Sequence, residues 1–408
     1  MSPNTPHLGN AFARPEEPTR EEPVVLIPTI FHAMGDTGVH THMHELVKHA
    51  AIQGATAALV TPFSGNRLLA YAVFSPRHLL KICWKSAGVV WYRHWHEVFL
   101  YRALRRQLTK IDDCIIYAQG PLEAHAALRA RSGDNQRVIM AVHFRISQAD
   151  EHAEPGREIR RDGRVFRSIR KLEKDVILKL TGIVYISEWA RKAVYSWLPE
   201  AADVPSAVIP NFVQDVQPSA GQRLGDLVTV GKLELRKNHG FLLDVLAAAR
   251  DAGHSFTLDV FGQGELWEDL HRRAVDMGLA EQVRFHGFRR DVRNFLPKYR
   301  AYVHAALAEG LPLAIIEAMA AGLPILAGNI GPVAEMCEDG VEARLLPLDD
   351  PAAAADRLIE LLDSDVDYQL AAKAARDRFC REFDANVVGP QLWSFLTSPR
   401  ASNATQAS

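Results

Sequence analysis

Short apolar runs alternate with longer stretches of mixed polarity along the chain. Five of these runs lie in the first half: EPVVLIPTIF (22–31), ATAALVTPF (55–63), DDCIIYAQG (112–120), RVIMAVHF (137–144) and GIVYISEWA (182–190). Each run ends in a polar or glycine-containing loop, and the stretches between them have helical spacing of apolar residues. Continuous apolar runs are typical of parallel strands that are buried on both faces, so the pattern predicts βαβ units.

The same alternation starts again in the second half. Its apolar runs are LVTVGKLE (227–234), FTLDVFGQG (256–264), QVRFHGF (282–288), AYVHAALAEG (301–310), LPILAGNI (323–330) and EARLLPLDD (342–350). A polar segment that contains proline and glycine separates the two series. We therefore expect an α/β protein with two Rossmann-like, doubly wound domains that face each other across a cleft.

The expected domain boundaries follow from the polar segment between the two series and from the polar flanks of the chain. An acceptor-binding domain is expected at residues 23–210 and a donor-binding domain at residues 224–384, with a linker at 211–223. A final helix at 385–398 is expected to pack back onto the first domain. The polar flanks are expected to be disordered tails, at residues 1–22 and 399–408.

Composition places the chain among soluble globular proteins. Of its 408 residues, 48% are hydrophobic and 24% are charged, and the net charge of −2 implies no global electrostatic partner. The four cysteines lie far apart without metal-ligand spacing, which is typical of reduced thiols in a cytoplasmic protein. No apolar window is long enough to span a membrane, so no spanning helix is expected.

Two glutamates stand within the apolar stretch EGLPLAIIEAMAAGLPILA (309–327). Glu309 follows a predicted strand, whereas Glu317 lies inside the helix that comes next. An unpaired carboxylate in such surroundings is costly, so each glutamate is expected to face a partner or a ligand. The start of this helix offers the backbone N–H groups of Leu313 and Ala314, which favour an anion such as phosphate.

A second polar loop follows the first strand of the second series, in VGKLELRKNHG (230–240). Lys232 and Lys237 lie in this loop, and Arg236 stands beside the latter. Two cations opposite a helix N-terminus would bind a diphosphate and neutralise the charge of a departing nucleoside diphosphate. No Asp-rich metal motif is evident, so no metal is expected. Taken alone, a run such as KLELRK is more typical of a solvated surface.

Four segments in the second half together resemble the retaining glycosyltransferases of family 4, whose two-domain fold is called GT-B. They are VGKLELRKNHG, VFGQGELWEDL, VRFHGFRRDV and EGLPLAIIEAMAAGLPILAGNIGPVAEM, and the spacing of the two glutamates matches the E-x7-E signature of that family. The resemblance is strong over residues 224–350 and looser over residues 23–210. The order of several motifs makes it far more specific than any single one.

The resemblance implies roles for the glutamates and cations. Glu317 would bind the ribose hydroxyls of the nucleotide, and Glu309 would lie against the donor sugar. Lys232 and Lys237 would bind the diphosphate. No cofactor is implied, because the nucleoside diphosphate sugar is itself a substrate.

Further roles fall on glycines and on the first domain. His143, at the end of VIMAVHF, would contact the donor sugar, and Gly38 would bring the backbone near the donor phosphate. The loops at Gly262 and at Gly287 and Phe288 would line the base pocket. A hinge signature of the family covers Asn211. A metal site at His40 and His44 is not expected, because no third ligand has clear spacing.

Three positions depart from the family pattern. Lys232 replaces the usual arginine, which keeps the charge but loses the bidentate fork. Pro312 replaces a glycine and removes one backbone donor, although proline suits the first turn of a helix. Thr37 stands where the N-terminal loop usually has a first glycine.

The predicted acceptor domain contains two basic segments. Residues 67–110 have nine Lys or Arg against one acid, a local charge of +8, together with Trp84, Trp91 and Trp95. Residues 157–174 have eight basic and three acidic residues. Such segments suit an anionic membrane surface or a phosphate-bearing acceptor, but an amphipathic helix whose arginines extend over the domain core explains them equally well. No motif supports nucleic acid as a partner.

The sequence thus predicts a retaining, metal-independent glycosyltransferase that uses a nucleoside diphosphate sugar, with UDP favoured over GDP. The expected acceptor is a hydroxyl of a polysaccharide or lipid-linked glycan precursor, and the expected location is cytoplasmic or peripheral at the inner face of the membrane. A glycosyl phosphorylase or a nucleotide-sugar epimerase on the same fold is an alternative. A catalytically weak binding or scaffold protein is another, motivated by Lys232 and Pro312.

Overall fold

A computed structural model shows the fold of the chain. It describes residues 24–31, 38–65, 67–75, 85–154, 159–215 and 222–398. The two expected tails, at residues 1–22 and 399–408, lie outside this described part, as does Thr37.

The first parallel sheet has six strands. They are β1 (Val25–Pro28), β2 (Ala57–Val60), β3 (Cys114–Ala118), β4 (Gln136–Val142), β5 (Gly182–Tyr185) and β6 (Ser206–Val208). Their order across the sheet is β2-β1-β3-β4-β5-β6. Four of them, β1, β3, β4 and β5, are almost fully buried because helices cover both faces of the sheet.

The second parallel sheet also has six strands. They are β7 (Leu227–Val230), β8 (Leu258–Phe261), β9 (Val283–Gly287), β10 (Ala301–His304), β11 (Ile325–Gly328) and β12 (Ala343–Leu346). Their order is β12-β11-β10-β7-β8-β9. The expected α/β class with two doubly wound sheets is therefore confirmed.

Helices follow the strands in both halves. In the first half they are α1 (Gly38–Ile52), α2 (Arg67–Phe74), α3 (Lys85–Leu108), α4 (Pro121–Ala130), α5 (Gln148–His152), α6 (Arg164–Ile177) and α7 (Glu188–Trp197). In the second half they are α8 (His239–Asp251), α9 (Trp267–Asp276), α10 (Leu313–Ala320), α11 (Val333–Met336), α12 (Pro351–Asp363), α13 (Asp365–Glu382) and α14 (Ala385–Thr397). Within the described ranges, no helix combines the length and apolar character needed to cross a bilayer.

The chain crosses between the two sheets twice, and the two crossings lie side by side. The N–H of Val213 donates to the carbonyl of Phe383 at 3.2 Å, and the N–H of Ala385 donates to the carbonyl of Val213 at 3.0 Å. After the second crossing, α14 packs beside α1 and buries Leu392 and Leu396 in the same apolar cluster as β1. The last helix therefore completes the core around the first sheet.

The carboxyl ends of β7, β8 and β9 come together at one edge of the second sheet. Gly262 has a φ of +152°, and a Cβ on it would lie 1.8 Å from the carbonyl oxygen of Gly231. Only glycine fits such an approach, which lets the exit loops of β7 and β8 run against each other. Loops that leave this edge form one side of the cleft.

Candidate active site between the two sheets

Glu309 is the centre of a cluster of charges in the cleft. It lies in the loop after β10, and its side chain is only 9% exposed. Lys237 Nζ contacts its Oε1, and Arg236 Nη1 donates to its Oε2 at 3.1 Å. The two loops meet because β7 and β10 are neighbouring parallel strands whose carboxyl ends share one edge.

The neighbouring cations determine the charge of Glu309. Burial by itself would raise the pKa of this carboxyl, but the charges of Lys237 and Arg236 and the nearby His304 ring hold the pKa well below its usual range. His304 Nε2 lies 3.3 Å from Oε1. Glu309 is therefore a carboxylate throughout the neutral pH range, and its oxygens can accept hydrogen bonds from hydroxyl groups.

Arg236 has a larger part in this cluster than the sequence indicated. Its guanidinium donates to Glu234 Oε1 at 2.9 Å and to the carbonyl oxygen of Ala308 at 2.7 Å, in addition to Glu309. These bonds tie the loop after β7 to the loop after β10. The sequence showed Arg236 beside Lys237 in this loop, but it gave no signal that Arg236 would pair with Glu309.

The two lysines that were predicted to act together occupy different surroundings. Lys237 is largely buried against Glu309. Lys232 pairs with Glu234 Oε2 at 3.1 Å, and its side chain is 63% exposed. Lys232 is consequently the more accessible cation at this edge of the cleft.

Two helix N-termini meet at the cleft. Pro312 is the N-cap of α10, and the N–H of Ile315 donates to the Pro312 carbonyl at 3.1 Å. Helix geometry leaves the N–H groups of Leu313 and Ala314 without intrahelical partners. Gly38 begins α1, and a Cβ on it would lie 3.1 Å from Leu313 Cδ1. The positive ends of both helix dipoles thus lie at the same place, which favours an anion.

Glu317 differs from Glu309 because its negative charge is only weakly compensated by nearby cations. The nearest cationic atom is Arg293 Nε, at 3.7 Å from its Oε1. Burial raises the pKa of Glu317 to about 7, Arg293 opposes the shift, and Glu45 on α1 adds to it. A carboxyl group in this position gains by binding a hydroxyl donor, because its buried oxygens lack strong partners.

His143 lies at the end of β4, on the first-domain side of the cleft. Its Nε2 is 3.0 Å from Gln119 Oε1, and its ring is 5.0 Å from that of His42 in an edge-to-face arrangement. Burial and the nearby His42 lower the pKa of His143 well below its ordinary value, so the ring is neutral. A Cβ on Gly310 would lie 2.8 Å from the His143 carbonyl oxygen, which places His143 beside the loop that carries Glu309.

The three residues predicted for the base pocket lie at the ends of two adjacent strands. The N–H of Gly262 donates to the carbonyl of Gly287 at 2.9 Å, and Phe288, which comes next, is exposed. A Cβ on Gly287 would lie 3.8 Å from Trp267 at the start of α9. These residues form a contiguous rim beside the exit loop of β7.

The basic aromatic segment is only partly described, since residues 76–84, which include Trp84, lie outside the described ranges. Where it is described, several of its aromatic rings pack inwards. The Trp91 indole donates to the carbonyl of Val73 at 2.9 Å, and the Phe74 ring contacts the His96 ring in a tilted arrangement with centroids 4.1 Å apart. Part of the segment therefore builds the α2–α3 interface.

Comparisons with known proteins agree on one family. Residues 225–364 match the family described as glycosyl transferases group 1. The chain is 30% identical over 379 residues to a phosphatidyl-myo-inositol mannosyltransferase of Mycobacterium leprae. The aligned residues cover 90% of this chain and 94% of the relative.

Solved structures share the fold at lower identity. The Anabaena protein Alr3699/HepE, crystallised in complex with UDP and glucose, superposes with a TM-score of 0.68 at 17% identity, covering 93% of this chain and 100% of the other. A sucrose-phosphate synthase from Thermosynechococcus elongatus superposes with a TM-score of 0.71 at 15% identity, covering 92% and 98% of the two chains.

Proposed function

Because the chain belongs to the glycosyl transferases of group 1 and has the GT-B fold, we propose that it transfers a sugar with retention of anomeric configuration. The donor is a nucleoside diphosphate sugar, and the acceptor group is a hydroxyl. No metal ion takes part in the proposed reaction.

One observation carries this proposal. Lys237 and Arg236 converge on Glu309, and only three residues separate Glu309 from the N-terminus of α10. Cations and a helix N-terminus at one point form a site for a diphosphate, while the adjacent carboxylate suits the hydroxyls of a sugar. Lys237 has three N–H donors, so it can bind a phosphate oxygen while it holds Glu309.

The donor would lie along the edge of the second sheet. Its diphosphate would contact Lys232, Lys237 and the N–H groups of Leu313 and Ala314, with Gly38 closing over it from the first domain. The ribose hydroxyls would donate to Glu317, whose weakly compensated carboxyl supports that role. Its base would lie by the rim of Gly262, Gly287 and Phe288. UDP is preferred to GDP, in keeping with the UDP in the Anabaena relative.

In the proposed single displacement, retention results because the acceptor attacks on the face from which the diphosphate departs. The bond between the anomeric carbon and the phosphate oxygen breaks as the acceptor oxygen forms its bond, and that phosphate oxygen takes the acceptor proton. Lys232, Lys237 and the α10 dipole stabilise the growing negative charge, which is the task that a metal ion has elsewhere. Glu309 and the neutral His143 hold the sugar, and the closed cleft excludes water.

The proposed acceptor is a precursor of a polysaccharide or a lipid-linked glycan. The mycobacterial relative is named for a lipid acceptor, which agrees with the basic charge of residues 67–110 and 157–174. Contact of the segment 67–110 with the inner face of an anionic membrane belongs to the same proposal. Binding to vesicles with and without anionic lipid tests this part by itself.

A calorimetric titration with UDP and then with GDP, in the presence of EDTA, tests the donor site. We expect micromolar binding of UDP that persists in EDTA and is lost in Glu317→Ala. Glu360→Ala, which removes a carboxylate from the exposed face of α12, is the matched control. Absence of binding to either nucleotide would overturn the proposal. The anomeric configuration of the product, read by NMR, decides between retention and inversion.

A further inference from the structure

Gln119 lies buried directly after β3, and its side-chain amide makes two hydrogen bonds. Its Nε2 donates to the backbone carbonyl of Tyr117 at 3.0 Å. Its Oε1 is 3.0 Å from Nε2 of His143 on the neighbouring strand β4. The side chain thus links the ends of the two strands that form the first-domain wall of the cleft.

These partners determine which way the amide faces. A backbone carbonyl can only accept a hydrogen bond, so the NH₂ group of Gln119 must face Tyr117 and its oxygen must face His143. That oxygen can only accept, so the proton of the His143 ring resides on Nε2. A neutral imidazole has one N–H, and therefore Nδ1 of His143 has a free lone pair.

We infer that Gln119 is a positioning residue, which fixes the Nε2–H tautomer of His143 so that Nδ1 accepts a hydrogen bond from a hydroxyl of the donor sugar. The inference rests on the proposed function, because His143 is assigned there to the donor sugar. It adds a residue that does not itself touch the substrate. Gln119 acts through His143 in the same way that a second hydrogen bond determines the tautomer of other functional histidines.

The surroundings of His143 help to keep both nitrogens in these roles. His42 Nε2 lies 3.0 Å from the Tyr117 hydroxyl, so Tyr117 holds His42 by its side chain and Gln119 by its backbone. Burial lowers the pKa of His42 to about 4, which leaves this ring uncharged beside His143. Two neutral rings can stay in contact without the repulsion that two imidazolium ions would bring.

The first test needs only the wild-type protein. Nitrogen-15 labelling of histidine distinguishes a protonated from an unprotonated ring nitrogen, and the signals that vanish in His143→Asn identify His143. We expect a single neutral tautomer with the proton on Nε2 at neutral pH. A ring protonated on Nδ1, or on both nitrogens, would overturn the inference.

A substitution tests the role of Gln119 itself. Gln119→Met keeps the length of the side chain but removes both hydrogen bonds, so the Nδ1–H form of His143 should become populated and kcat/KM for the donor should fall about tenfold. Gln282→Met is the control, because Gln282 is also a nearly buried glutamine bonded to a backbone carbonyl, but in the second domain. We expect it to leave the His143 signals and turnover unchanged.

The outcomes separate this inference from the proposed function. An unchanged tautomer in Gln119→Met, or a changed tautomer with wild-type turnover, would refute the positioning role. If Gln119→Met fails to fold, the wild-type spectrum still decides whether the proton of His143 resides on Nε2, as a hydrogen bond to Gln119 Oε1 requires. If the wild-type protein transfers no sugar, the proposed function fails while the spectrum still reports the tautomer.

Discussion

His143 and Gly310 touch across the cleft: a Cβ on Gly310 would lie 2.8 Å from the carbonyl oxygen of His143. His143 directly follows β4 of the first sheet. Gly310 follows Glu309 in the loop after β10 of the second sheet. Their contact brings the two walls of the candidate site to van der Waals distance. A side chain at residue 310 would force these walls apart.

Gly310→Ala is therefore expected to impair turnover without unfolding either half. The added methyl group collides with backbone, which cannot rotate away, so the closed arrangement around Glu309 becomes strained. We expect kcat to fall at least tenfold, with UDP affinity less affected, in steady-state kinetics and calorimetry. Gly133→Ala is the matched control, because a Cβ there meets nothing within 4 Å. Wild-type kcat in Gly310→Ala would show that the contact is dispensable.

Lys237→Ala should reduce both activity and stability. It deprives the buried Glu309 of its closest cation, and breaking a buried ion pair is costly because the remaining charge loses its compensation. Arg236 remains, so we expect a loss of about 2 kcal/mol in the free energy of unfolding and a fall of at least about a hundredfold in kcat. Urea unfolding and a transfer assay measure the two effects.

The control for Lys237 is an exposed lysine in an ion pair. Lys373, on α13, pairs with Asp377 at 2.6 Å, and its side chain is 75% exposed. Because solvent screens this pair, Lys373→Ala should change stability by less than about 0.5 kcal/mol and leave transfer intact. An equal loss of unfolding free energy in Lys237→Ala and Lys373→Ala would contradict the buried character of the Lys237–Glu309 pair.

Lys232→Ala should weaken donor binding with little effect on stability. Lys232 is mostly exposed, and its partner Glu234 keeps Arg236. We expect UDP to bind about tenfold more weakly by calorimetry, since one charge-assisted contact to phosphate is lost. Lys232→Arg should bind UDP at least as tightly as the wild type, because a guanidinium can bind two phosphate oxygens. Unchanged UDP affinity in the alanine variant would remove Lys232 from the site.

Glu317→Gln should change the dependence of stability on pH. The Glu317 pKa is raised from 4.5 to about 7 in the folded protein. Below pH 4.5 the group is protonated in both states, whereas between 4.5 and about 7 only the folded state retains the proton. The wild type should thus lose stability relative to Glu317→Gln as the pH rises through this window, by up to about 3 kcal/mol.

Urea unfolding of both proteins at about pH 5 and about pH 8 measures this difference. The variant has no proton to release at this position. The contributions of all other titrating groups to stability are common to the two proteins and cancel in the difference. A wild-type stability that rises relative to the variant over the same interval would reverse the sign and refute the raised pKa.

Most of the fold was predictable because strands buried on both faces give continuous apolar runs. The exception is β6 (Ser206–Val208), a short strand at the edge of the first sheet whose three residues are only half-buried. An edge strand of this length has neither an apolar run nor a clear alternation. The apolar runs of the first half therefore do not include it.

Residue type and strand-exit position were enough to place Glu309 and Lys237 in loops at the same edge of the second sheet, where the structure has them in contact. The partners of these residues were harder to foresee. Arg236 reaches Glu309 from a distant part of the sequence, and only the pairing of β7 with β10 brings the two loops together. Gln119 and His143 likewise meet because β3 and β4 are adjacent. Sequence spacing carries no signal for such contacts.

The return of α14 to the first sheet has a consequence for how the protein is made. Leu392 and Leu396 complete the apolar layer against Val25 and Ile27, yet they are synthesised after the whole second sheet. The first half cannot finish its core on the ribosome while the second half is still emerging. We expect the second half to mature first, so that β1, although it is translated before the second sheet, reaches its final packing after it.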